Sequence, residues 1–172
     1  MTAPFFCTLL VLSYLLTLLQ SGWVSAIFPV FLKPDLMLIF VVYVGTLPYL
    51  LSGAALIAST SLIYELFSGS PAGFFLLIYL ILFFLLKFLA KFIIIGQSLS
   101  FRLLLVFLGL ILQYFLLSFL PFVLGILPNL SLPGWAWILP QAVLTSLLGW
   151  PVWILFNKVE AFPRMAPPPK SA

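Results

Sequence analysis

Acid–base chemistry needs titratable side chains that can reach one another, and this chain has few. Its three acidic residues are Asp35, Glu65 and Glu160, it has no histidine, and its one cysteine is Cys7. The lack of histidine removes the commonest general base and the commonest metal ligand. Two carboxylates about 5–10 Å apart in a wet cleft can divide acid and base roles, as in glycosidases, and Asp35 with Glu65 is the one candidate pair. The sequence has no G-x-x-x-x-G-K loop, no H-E-x-x-H helix, no G-x-S-x-G elbow and no aspartate-rich motif for lipid-phosphate transfer. No cluster of metal ligands, no cofactor and no catalytic role are expected. Cys7 lies in an apolar run and reads as a small buried hydrophobe.

The charged residues that remain each have a physical reading. Asp35 follows Pro34 at a helix start, where a carboxylate meets free backbone N–H groups and the positive end of the helix dipole. It is a cap, with partner contact or an interhelical salt bridge as the other reading. Glu65 falls near the C-terminal end of its helix, where the dipole disfavours an anion, and within or beside an apolar span. A residue so placed needs a partner, either inside the protein or on another subunit or ligand. Lys33 is the basic residue on the same side, which makes Lys33–Glu65 a candidate pair. Lys87 and Lys91, four apart on one helix face, and Arg102 are candidates for anionic lipid headgroups or a cytoplasmic protein.

The elements that carry these residues are membrane spans. The chain has 172 residues, of which 65% are hydrophobic and 6% charged, with a mean hydropathy of +1.36. A soluble domain carries about 25% charge, so lipid is the expected solvent. About twenty helical residues cross a hydrocarbon core of about 30 Å, and six spans are predicted, over 5–24, 35–47, 51–67, 72–92, 103–120 and 138–156. The first has a rival reading as a signal peptide ending near Val24-Ser25-Ala26. It lacks a basic lead-in and is long for that role, so a retained helix is expected.

Pro48, flanked by Gly45 and Gly53, divides 35–67 into two short segments, and short spans are tolerated where neighbours cover their ends. Gly53, Ala54, Ala55, Ala58, Ser59, Thr60 and Ser61 give the second segment a small-residue surface suited to close packing or docking. Ser70 reads as a helix cap with Pro71 in the first turn, and Ser100 as a cap for the fifth span. Pro121 is expected to stop that span, 121–135 to form an interfacial loop, Pro151 to kink the sixth span, and 157–172 to form a polar proline-containing tail. With both termini on one side, that side receives Lys87, Lys91, Arg102, Lys158, Arg164 and Lys170, against Lys33 on the other. The positive-inside rule then puts both termini in the cytoplasm. The fold class is all-α, a six-helix integral membrane bundle.

One region is more particular. Pro34-Asp35-Leu36 opens a helix, a small-residue helix ends on Tyr64-Glu65-Leu66-Phe67-Ser68-Gly69-Ser70-Pro71-Ala72-Gly73, and a Phe/Leu/Tyr-rich helix follows. This pattern resembles the bacterial rod-shape-determining MreD family, with Glu65 where that family usually has Asp. The resemblance implies a non-catalytic inner-membrane subunit of the cell-elongation machinery. Its partners would be MreC and also MreB, RodA and the elongation transpeptidase, with membrane lipids around it and no nucleic acid. It makes Lys33, Asp35, Glu65, Gly69, Pro71 and Gly73 candidate partner-binding residues. The alternative is a substrate-binding subunit of an energy-coupling-factor vitamin transporter, a group that also has six helices.

Overall fold

The computed structural model describes residues 3–29, 32–92, 99–124 and 137–161, and all of its regular elements are helical. Helix α1 is Ala3–Leu19, continued without a break by a π-helical turn, Gln20–Val24, and a last α turn, Ser25–Ile27. Then come α2 (Leu36–Thr46), α3 (Leu50–Ser68), α4 (Phe74–Phe92), α5 (Leu99–Leu124) and α6 (Ile138–Ala161). Four helical stretches, Pro4–Ile27, Leu50–Ser68, Phe101–Val123 and Ile138–Lys158, are long and apolar enough to cross a membrane.

The architecture turns on α2. Its 11 residues reach only about 16 Å at 1.5 Å per residue, half a hydrocarbon core. Every residue from Leu36 to Gly45 is buried, and α1, α3, α4, α5 and α6 all pack against it. Hydrophobic all round, it is the core of the bundle, not a face of it. Phe40, Tyr43, Trp153 and Phe156 meet across α2 and α6, with Tyr43 and Phe156 ring centroids 4.5 Å apart. The longer helices turn leucine and phenylalanine outward, as at Leu51, Leu66, Phe88 and Phe122. This is the pattern of a bundle solvated by hydrocarbon.

Small residues set the spacing between helices. A Cβ added to Gly53 of α3 would lie 3.0 Å from Phe83 Cζ and 3.2 Å from Val44 Cγ1. Two turns further along α3, Thr60 and Ser61 are buried and return their hydroxyls to the carbonyls of Leu56 and Ile57. Part of the small-residue surface of α3 is therefore internal packing. In α1, Ser13, Thr17, Ser21 and Ser25 likewise donate to carbonyls of their own helix, which satisfies hydroxyls in apolar surroundings.

Several sequence expectations are corrected. Helix α5 runs through Pro121 to Leu124, because a proline this close to a helix end forfeits only one late hydrogen bond. Helix α6 likewise runs through Pro151 to Ala161, beyond the expected end at 156. Ser70 is not a cap: α4 starts at Phe74, and the Ser70 hydroxyl pairs with Ser68 at 2.8 Å. Ser100 lies inside α5, which begins at Leu99. Cys7 is exposed, on the outward face of α1. The remainder of the interfacial loop, 125–135, and of the tail, 162–172, lie outside the described residues.

Candidate functional site

Several buried polar residues, among them Gln20, Asp35, Gln113, Gln141 and Thr145, converge at one end of α2. Asp35 precedes the helix with extended backbone, and its Oδ1 accepts from Leu38 N at 2.9 Å. This is the expected N-terminal cap, but the carboxylate does more. Its Oδ2 accepts from Tyr79 Oη of α4 at 3.2 Å and from Gln113 Nε2 of α5 at 2.7 Å. The Asp35 amide donates to Thr145 Oγ1 of α6 at 3.3 Å. Next to it, Leu36 N donates to Gln20 Oε1 at 2.9 Å. Gln20 opens the π turn of α1, and such turns often re-aim a side chain at a functional site. Asp35 and its neighbour thus tie α1, α4, α5 and α6 to the start of α2.

A second layer lies against the first. Gln141 of α6 donates through Nε2 to the Lys33 carbonyl at 2.6 Å, and its Oε1 accepts from Tyr114 of α5. Between the layers is a cavity of about 140 Å³, which Lys33, Asp35, Gln113 and Tyr114 share with the aromatic pair Tyr64 and Phe75. Tyr64 and Phe75 meet edge to face, with centroids 5.1 Å apart. Gln113 Oε1 is buried and has no hydrogen-bond partner. Lys33 is partly buried; burial lowers its pKa, and the negative charge of Asp35 partly opposes that shift.

Glu65 has its own role at this end of the bundle. Helix α3 stops on Gly69, whose left-handed φ of 66° lets its N–H return to Glu65 O at 3.2 Å. The chain reverses through Gly73, with φ of 85°. The Glu65 carboxylate reaches across this reversal, accepting from Gly73 N at 2.8 Å and Leu76 N at 2.7 Å. The acid that sits badly on its own helix dipole therefore sits well on the next one, capping the N-terminus of α4. In place of the candidate Lys33–Glu65 pair the carboxylate takes these two backbone bonds, and the acid whose charge acts on Lys33 is Asp35. Gly69 and Pro71 are exposed on the turn that Glu65 organises, and Gly73 is half-buried.

The basic candidates lie toward the opposite end. Lys87 of α4 donates to the Leu47 carbonyl just past the C-terminus of α2, and its ammonium lies 5.8 Å from the Phe83 ring centroid. Arg102 of α5 lies 5.1 Å from the Trp153 ring of α6. Both are therefore held at least partly by the protein. Lys91 is in the last turn of α4, and its side chain lies outside the described residues.

Sequence reasoning singled out Asp35 and Glu65 but passed over Gln20, Gln113, Gln141 and Thr145. The missed signal was simple. The chain has four glutamines, and three of them stand in apolar runs, where an amide needs a partner. The arrangement provides a rigid polar end with hydrogen-bond donors and acceptors around a small cavity; Asp35 and Glu65 are both engaged in holding helices together. Compared with protein-family models, with characterised proteins and with solved structures, the chain has no significant match.

Proposed function

We propose that this protein is a non-catalytic subunit of the bacterial cell-elongation complex, of the MreD kind, working in the cytoplasmic membrane. It would dock MreC, and through it MreB, RodA and the elongation transpeptidase, to help position lateral peptidoglycan synthesis. The observation that carries this reading is the turn built by Glu65. A buried carboxylate accepts two backbone bonds and holds a Gly-Ser-Pro-Ala-Gly reversal that is exposed at Gly69, Pro71 and Ala72, with Leu66 (83% exposed) and Phe67 (48% exposed) beside it. A fixed polar turn flanked by outward apolar side chains suits docking to another membrane protein, and it falls within the stretch that resembles the family.

All six helices cross in this reading, α2 and α4 as short spans sealed by their neighbours. Lys87, Arg102 and Lys158 lie toward the end away from Asp35, the end shared by the start of α1 and the finish of α6. The positive-inside rule makes that end cytoplasmic. The vitamin-transporter alternative is less well supported, because pockets for drug-sized ligands hold about 300–1,000 Å³ and this cavity holds about 140 Å³.

The test is co-purification of the full chain with MreC from membranes, comparing the wild type with Pro71→Arg on the exposed turn. Recovery of MreC with the wild type and its loss with the variant is the expected result. Failure of the wild type to retain MreC would remove the proposal.

A further inference from the structure

Arg102 is a cation that the described residues leave without an anion. It stands in the first turn of α5, which holds no acid, so it meets the positive end of its own helix dipole unopposed. Its guanidinium lies 5.1 Å from the ring centroid of Trp153 of α6, and no hydrogen bond or ion pair joins it to another described residue. Trp153 is 1% exposed, so the ring is a fixed wall against which a cation–π contact holds the guanidinium. The ring offers no acceptor oxygen, and the five N–H donors of the guanidinium go unfilled among the described residues. Lys87 differs, because its ammonium already donates to the Leu47 carbonyl.

We propose that Arg102, held against Trp153, binds the phosphate of an anionic phospholipid. A guanidinium presents its donors as a planar fork that matches two phosphate oxygens, and such charge-assisted pairs are the strong ones. The surroundings make the phosphate a lipid's. Leu104 of α5 and Ile154 of α6, two residues and one residue from the pair, are exposed apolar side chains, so hydrocarbon borders the site and a phosphate tethered to acyl chains reaches it from the bilayer. The charge of this end selects an anionic lipid. Lys87 and the exposed Lys158 lie toward it, while Asp35 and Glu65 cap helices at the other end. A choline headgroup brings its own cation into this positive field, whereas phosphatidylglycerol brings none, and basic residues at the ends of membrane helices attract such lipids. The site needs no step of the partner-docking reading, so failure of one leaves the other standing.

The experiment is native mass spectrometry of the full chain in detergent with equal amounts of dioleoyl phosphatidylglycerol and dioleoyl phosphatidylcholine, and with inorganic phosphate as a separate competitor. Phosphatidylglycerol is expected on the wild type at about threefold the level of phosphatidylcholine or more. Arg102→Gln should bring the two lipids to the same level, and Lys87→Met should leave the preference in place, since that ammonium is already bound. Should Arg102→Gln fail to fold, Arg102→Lys keeps the charge beside the ring and removes the fork, and the preference should fall about twofold or more. Equal retention of both lipids by the wild type, or an undiminished preference in either Arg102 variant, would overturn the proposal. An equal loss in Lys87→Met would show diffuse attraction instead of a site, and displacement of the lipid by millimolar inorganic phosphate would show a site for the free ion; each would overturn it as well.

Discussion

Asp35 and Lys87 close opposite ends of the same buried helix. The carboxylate caps the N-terminus of α2 through Leu38 N, and the ammonium donates to the Leu47 carbonyl just beyond its C-terminus. Each charge is matched to the sign of the helix dipole it meets. An 11-residue helix cannot bring its ends to water across a bilayer, so its unpaired backbone groups must be satisfied from within the protein. These two side chains do this at either end, and both bind α2 to α4, through Tyr79 and Lys87.

Replacing Asp35 should therefore loosen several helices together. Asp35→Ala leaves Leu38 N, Tyr79 and Gln113 without their acceptor. Hydrogen bonds to a charged group contribute about 1.5–3 kcal/mol each. A loss of about 3 kcal/mol or more is expected on thermal unfolding in detergent, with Asp35→Asn losing less because one carbonyl oxygen remains.

Lys87→Met keeps the length of the side chain and removes the donor to Leu47. A loss of about 1–2 kcal/mol is expected, with faster amide hydrogen exchange concentrated in the last turn of α2. A lysine that served lipid headgroups alone would leave that exchange unchanged.

Glu65→Ala should unfasten the start of α4. The amides of Gly73 and Leu76 lose their acceptor, and loss of a helix cap costs about 0.5–2 kcal/mol. Faster exchange at those two amides, with α2 unaffected, is the expected signature.

How much of this was legible beforehand differs between the two acids. Asp35 after Pro34 announced a helix start, and its cap on Leu38 is there. Its bonds to Tyr79, Gln113 and Thr145 were not readable, because they join residues 44, 78 and 110 positions apart, and no local pattern encodes which helices become neighbours. Glu65 looked misplaced because only its own helix was considered; its partners lie 8 and 11 residues further on, across a glycine-bounded turn. Proline was over-read at one position: Pro121 was expected to stop the fifth span and lies inside α5. The shortness of α2 was visible, but its position at the centre of the bundle was not, since a uniformly apolar helix has no preferred face to reveal what surrounds it.

Gly53→Val tests the close approach of α3 to α2 and α4. The new Cβ would meet Phe83 and Val44 at 3.0–3.2 Å. Overpacking of this kind costs about 1–3 kcal/mol. Gly53→Ala should cost less than Gly53→Val, read as the melting temperature in the same detergent.

Lys33 gives a pH signature. Burial lowers its pKa from 10.5 in the folded protein, so between that lowered value and 10.5 the unfolded chain holds more protons. Stability attributable to Lys33 therefore rises with pH across that window. Lys33→Met should abolish this rise, measured as the difference between wild-type and variant melting temperatures from neutral to alkaline pH.

Cell width after depletion of the protein tests the proposed elongation role. Rods that widen and round up, and recover their width on re-expression of the wild type but not of Pro71→Arg, are expected for an elongation subunit that docks through the Glu65 turn. Depleted cells that keep their width while growing normally would contradict it.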